Sequence, residues 1–263
     1  MTEEQNSRDD EEIEQAKVAI GGPLGRELSA FPIRFAEPIY FGEPPSAGKT
    51  SYLRNGTATI IDLGDGPLAI TCSHVLAEYR ERLVLAPDTI FQIGNLKVDP
   101  LARIQSEDTG IDLAVLNLDG CDLEQMWQGK LVESNVFRPP RWPPRALEPG
   151  DFIAVGGFPA AWRDQVGRAG IVYDSFSLGA TRVTAVYPDH FICQFEREYW
   201  IGPQKDRLDI RELGGMSGGP AFIHRDLYFE WVGVVYEFSS EFDLLYLRPS
   251  HLLGSDGCIR TSR

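Results

Sequence analysis

From about residue 30 onward the chain is a series of short apolar runs broken by turn residues. That punctuation limits it to folds made of many short strands. The runs include Ala58–Leu63, Leu68–Cys72, Leu83–Leu85, Ile90–Ile93 and Leu113–Leu116 in the first half. Asp151–Gly156, Thr181–Tyr187, Phe191–Phe195, Trp231–Tyr236 and Leu244–Leu247 follow in the second. Turn signals separate them, among them Asn55-Gly56, Gly64-Asp65-Gly66-Pro67 and Gly94-Asn95. Regular spacing of this kind predicts an all-β barrel or sandwich. One short helix is expected after His74, through Val75–Arg80, but no long amphipathic helix. With 43% hydrophobic and 24% charged residues the chain has the composition of a protein with a packed core.

The strands are interrupted by Arg138-Pro-Pro-Arg-Trp-Pro-Pro-Arg145. Proline cannot donate to a central ladder, so this stretch is a connection. The expected organisation is an acidic N-terminal extension (1–29), a β unit (30–137), a proline-rich linker (138–149) and a second β unit (150–263). A PxxP ligand for a partner domain is the alternative reading of the linker. The opening residues Met1–Glu12 carry neither the basic start nor the apolar run of a secretory signal, and no later stretch is long and apolar enough to span a bilayer. A cytoplasmic protein is therefore expected; a mature form that has lost its signal is the alternative. The net charge of −14 argues against nucleic acid or an anionic membrane as a partner. Cys72, Cys121, Cys193 and Cys258 form no CxxC pair and are read as reduced thiols. No metal and no cofactor is expected, since His190 and Cys193 lack a second ligand pair.

Gly42–Thr50 imitates a phosphate-binding loop. The pattern needs glycine where Glu43 stands, and a carboxylate there repels phosphate. Pro44 and Pro45 also remove N–H donors that should cradle the anion. Nucleotide binding is excluded on these grounds.

Peptide hydrolysis needs a nucleophile, a base, a group that orients the base, and donors for the oxyanion. The segment Gly214-Gly-Met-Ser-Gly-Gly-Pro220 supplies a candidate nucleophile, Ser217, on a tight glycine-rich turn. The backbone N–H groups of Gly215 and Ser217 would form the oxyanion hole. His74 ends the apolar strand Ile70–Cys72 and opens a turn or helix. His190, His224 and His251 compete with it, but none ends an apolar strand ahead of both Asp112 and Ser217. Asp112 directly precedes the strand Leu113–Leu116, where a carboxylate needs a partner to be buried. Asp108 is the nearby alternative.

In these motifs the sequence resembles the chymotrypsin-like (trypsin-fold) serine peptidases, especially compact bacterial members. The motifs are Thr71-Cys-Ser-His74, Asp112-Leu-Ala-Val-Leu116, Gly157-Phe-Pro159, Gly215-Met-Ser-Gly-Gly-Pro220 and Val232-Gly-Val-Val235, in the order His, Asp, Ser. The resemblance implies two six-stranded antiparallel β-barrels with the site in the cleft between them. It implies Ser217 as nucleophile, His74 as base and acid, and Asp112 as the group that fixes the imidazole tautomer. The partner it implies is a protein or peptide substrate.

The chain departs from the family beside the nucleophile. Members that mature by clipping carry Asp where Met216 stands, paired with a new N-terminus. Met216 cannot make that pair, so another control is expected, such as a regulatory protein partner. Arg211 stands where trypsin-type members carry the Asp that binds a basic side chain, with Asp209 and Glu212 close enough to reverse the reading. Tyr236, Glu237 and Phe238 replace the usual Ser-Trp-Gly of the pocket wall. Together these predict substrate-binding residues unlike those of trypsin, and a cleavage preference that is not for Arg or Lys.

Overall fold

The computed structural model describes residues 22–43, 53–128, 134–166, 170–195, 213–225 and 227–260. The acidic residues 1–21, most of the Gly42–Thr50 segment, and Asp209, Arg211 and Glu212 lie outside these.

Helix α1 (Pro23–Ala30) is followed by strands β1 (Ala36–Gly42), β2 (Leu53–Asp62) and β3 (Pro67–Thr71). Helix α2 (Ser73–Leu85) then leads to β4 (Ile90–Ile93), β5 (Leu96–Lys97), β6 (Ile104–Asp108) and β7 (Leu113–Asn117), and α3 (Leu123–Trp127) closes the first half. The second half holds β8 (Phe152–Gly157), β9 (Arg163–Val166), β10 (Gly170–Tyr173), β11 (Phe176–Val186), β12 (Phe191–Gln194), β13 (Pro220–Arg225), β14 (Tyr228–Ser239) and β15 (Leu244–Pro249).

The first half is a curled seven-stranded sheet, ordered β5-β4-β1-β2-β3-β7-β6. The second is a closed barrel, ordered β11-β12-β15-β14-β13-β8, with β9 and β10 as a separate hairpin. Every strand pair is antiparallel. The all-β double-barrel expectation is met. The closed barrel of the second unit has the six strands expected, whereas the first unit spreads over seven strands, with no ladder joining β5 to β6 among the described residues.

The uninterrupted apolar runs have a physical cause: several strands are buried on both faces. Side chains alternate across a strand, so neighbours enter different cores. In β3, Ala69 faces the interior of the first sheet, with Ile60, Leu76 and Phe91. Leu68 and Ile70 face the seam between the halves, against Phe222 and Trp231. In β13, Ala221 and Ile223 enter the second barrel while Phe222 enters the seam. The N-terminal segment crosses that seam as well, since Phe31 stacks on Phe229 with centroids 3.7 Å apart.

Two local expectations change. Leu83–Leu85, expected as a strand, is the last turn of α2, and the helix after His74 is longer than expected. Val75, Leu76 and Tyr79 are buried along it and Leu83 packs beside them, which is helical spacing, while Val84 and Leu85 stay exposed. Helix α1 (Pro23–Ala30) takes up the end of the expected extension (1–29) and the first residue of the expected β unit. Among the described residues no helix is long and apolar enough to cross a membrane.

Candidate active site

Strand β3 ends at Thr71, and Cys72 occupies the N-cap of α2 without a capping hydrogen bond. The first N–H groups of a helix have no partner within it. Asp112 supplies one from across the sheet. Its Oδ1 accepts the His74 backbone N–H at 2.8 Å and its Oδ2 meets His74 Nδ1 at 2.7 Å. One carboxylate thus fixes both the backbone and the ring of His74. Asp112 sits in the turn between β6 and β7 with φ +55, a left-handed conformation that Asp tolerates better than most residues. Asp108, the alternative, instead closes that turn by accepting the Gly110 and Ile111 N–H groups.

A second carboxylate ties down the same helix. Glu107 of β6 accepts Ser73 Oγ at 2.8 Å and both terminal nitrogens of Arg80 at 2.8 and 2.5 Å. The Arg80 hydrogen bonds hold the Glu107 carboxyl below its usual range, against the effect of burial. These contacts anchor α2 on either side of His74.

Ser217 lies between β12 and β13 in a turn stitched by Met216 N–H to Leu213 O (3.1 Å) and Gly219 N–H to Met216 O (2.8 Å). Gly215 (φ +97) and Gly218 (φ +91) adopt backbone conformations closed to most side chains. A Cβ on Gly218 would lie 2.0 Å from Thr57 O. Strand β2 clamps this turn from the other half of the molecule. Thr57 N–H donates to Ser217 O at 2.9 Å, Thr57 Oγ1 to Gly215 O at 2.7 Å, and Thr59 Oγ1 to Gly218 O at 2.8 Å. Gly218 N–H is used by Val235 O at 2.7 Å. The N–H groups of Gly215 and Ser217 donate to no described residue.

His74, Gly215 and Ser217 line one cleft of about 300 Å³, together with Arg54, Asn55, Glu78 and Arg163. The described hydrogen bonds include none between His74 and Ser217. Burial lowers the His74 pKa, but the hydrogen bond and charge of Asp112, helped by Glu78, outweigh it and leave the imidazole raised. Cys72 lies fully buried behind these groups, its Sγ 3.5 Å from Val235 O. Burial, with the Asp112 charge, pushes that thiol well above its usual range, against the opposing pull of Gly218 N–H, Arg248 and the Ser217 hydroxyl. Cys72, His74 and Asp112 place ligand-type atoms within 4.8 Å of one another. Both Asp112 oxygens already serve His74, so this carboxylate is committed to positioning the imidazole.

Met216 is buried in the core of the second barrel. Tyr236 lies under the Arg248 guanidinium, 3.9 Å from its ring centre, and Phe238 packs edge-on against Phe195. Glu237 pairs with Tyr246 across β14 and β15. None of these three lines the cleft that holds His74 and Ser217. His190, His224 and His251 also lie elsewhere, against Asp189, Phe229 and Pro188. The threonine clamp, the Glu107 anchor and Arg163 were not singled out from sequence. Their contacts join residues far apart in the chain, and no local motif marks them.

The arrangement offers a hydroxyl on a glycine-rich turn, two N–H groups of that turn that no described residue accepts, and an imidazole oriented by a carboxylate. That set can perform acyl transfer. The sequence profile described as "Trypsin-like peptidase domain" matches residues 56–234. No curated protein matches. Among solved structures, the chain is similar to the Rv3671c protease from M. tuberculosis in its active form, with 16% identity, coverage of 88% of this chain and 81% of that one, and a TM-score of 0.43. It is also similar to the thermostable serine protease AL20 from an extremophilic microorganism, with 12% identity, coverage of 82% and 90%, and a TM-score of 0.42.

Proposed function

Since the chain belongs to the family of trypsin-like peptidase domains, we propose that it is a serine endopeptidase with His74, Asp112 and Ser217 as its catalytic residues. The observation that carries this reading is the two-point hold of Asp112 on His74, in the cleft that also contains Ser217. With Nδ1–H donated to Asp112, Nε2 is the free basic nitrogen. Ser217 Oγ attacks the scissile carbonyl and its proton passes to Nε2. The oxyanion meets the Gly215 and Ser217 N–H groups. Nε2–H then protonates the leaving amine, and a water repeats the sequence to release the acyl group. Substrate binding brings Ser217 Oγ into hydrogen-bonding reach of Nε2; such bonds are often long in the free enzyme.

The buried Met216 leaves the nucleophile turn without an ion-pairing group, so control by a protein partner belongs to this reading. So does a cleavage preference other than for Arg or Lys.

A second reading is a trypsin-fold interaction module without catalysis. It is favoured by one observation, the missing hydrogen bond between His74 and Ser217. Labelling with a fluorophosphonate separates the two. The peptidase reading requires labelling of the native protein that is lost in Ser217→Ala and strongly reduced in His74→Ala. An unlabelled native protein leaves the interaction module.

A further inference from the structure

The cleft beside Ser217 has a direction. Around the Gly214–Ser217 turn its lining comes from α2, which carries His74 and Glu78, from β2, which carries Arg54 and Asn55, and, from the second half, from Ala160 and Arg163. It therefore includes the imidazole side of the nucleophile. In acyl transfer the imidazolium gives its proton to the departing amine, so the leaving fragment occupies the imidazole side.

The charges there are unequal. Arg54 is matched by Glu78 at 3.6 Å. Arg163, at the start of the β9–β10 hairpin and paired there with Tyr173, is half-buried in the same cleft. Its Nη1 donates to Asn55 Oδ1 at 3.0 Å, and Asn55 is fixed in turn by Nδ2 donating to Phe158 O at 3.0 Å. No described carboxylate pairs with Arg163. In a chain of net charge −14, an oriented guanidinium beside the nucleophile, unpaired with any carboxylate among the described residues, is a specific feature. Its remaining donors form the fork that grips a carboxylate at two points.

We infer that Arg163, oriented by Asn55, binds a carboxylate carried by the leaving fragment of the substrate. The carboxylate is either an Asp or Glu side chain within the first residues after the scissile bond or the C-terminus of a short leaving fragment. The inference rests on the peptidase reading above and adds a substrate class to it. Arg163 acts on recognition and touches no reacting atom.

The test uses the full chain and peptides with Glu or Gln at each of three positions after the scissile bond. C-termini are amidated, and one further set of Gln peptides keeps its free C-terminus. Cleavage is read by mass spectrometry as a kcat/KM ratio within each variant, which is insensitive to the fraction folded. The wild type should favour a carboxylate-bearing peptide over its amidated Gln counterpart by about tenfold. Arg163→Gln should bring that ratio close to one, Arg163→Lys should restore most of it, and Arg54→Gln should keep it. A preference for the Glu peptides assigns the side chain, and one for the free-acid peptides assigns the C-terminus. Equal cleavage by the wild type, or a preference that survives Arg163→Gln, overturns the inference. Should the wild type cleave no peptide and leave an activated ester intact, the peptidase reading fails. Anisotropy of the same peptides, fluorescently labelled, then decides the site. Carboxylate-selective binding lost in Arg163→Gln sustains it, and equal binding overturns it.

Discussion

The Thr57 hydroxyl donates to the Gly215 carbonyl at 2.7 Å and accepts the Phe158 N–H at 3.0 Å, so one side chain of the first sheet sets the turn that carries Ser217. Thr57→Val keeps the shape of the side chain and removes both hydrogen bonds. Each is worth about 0.5–1.5 kcal/mol. The variant should lose about tenfold or more in kcat, by misplacing oxyanion donors, with a smaller change in KM. Its melting temperature should fall by several degrees. Steady-state kinetics and calorimetry check both.

Gly215 tolerates no side chain. A Cβ there would lie 2.4 Å from Asn55 Nδ2 and 2.8 Å from Ala160 N, at φ +97, whereas one on Gly214 meets nothing within 4 Å. Gly215→Ala should lower both the melting temperature and the activity, the latter by about 10²-fold. Gly214→Ala should melt close to the wild type.

The pH dependence follows from His74. Its pKa is raised in the folded protein, and the imidazole must be neutral to act as base. The acid limb of kcat/KM should therefore fall above the ordinary imidazole value of about 6.5. For stability the sign is opposite. The charged His74–Asp112 pair contributes fully below about pH 6.5, and that contribution is lost as pH rises through the raised folded value. Asp112→Asn removes the main raising influence and leaves burial opposed by Glu78 alone, so its acid limb should move down while kcat drops by about 10³–10⁴-fold. A pH–rate profile of both proteins tests this.

The thiols make a separate prediction. All four cysteines are free, with Cys72 and Cys193 buried and Cys121 and Cys258 partly exposed. Burial holds the Cys72 and Cys193 thiols protonated, and thiolate is the reactive form. Iodoacetamide should modify Cys121 and Cys258 first and leave hydrolysis intact. Loss of activity in step with alkylation of Cys121 or Cys258 would contradict this.

Much of the fold was legible in single strands. The runs at Leu68–Cys72 and Leu113–Leu116 fold as strands, up to Thr71 in the first, because burial on both faces favours apolar residues at successive positions, whereas Ile90–Ile93, with Gln92 in it, alternates buried and half-buried positions. Leu83–Leu85 misled for the reverse reason: three apolar residues fit a strand or a helix end, and only the spacing from Val75, Tyr79 and Leu83 distinguishes them.

The order of His74, Asp112 and Ser217, and the glycines around the last, could be read from the sequence because such chemistry needs those residue types in those local settings. That Asp112, already preferred in the sequence, holds His74 at two points while Asp108 closes the turn came from tertiary structure. So did the Thr57 and Thr59 clamp, the burial of Cys72 behind the imidazole, and the placing of Arg163 in the cleft. Each rests on a contact between residues 38 to 163 positions apart along the chain. A local pattern records which backbone a segment prefers; which side chains meet across two packed β units is settled only when the units close on one another.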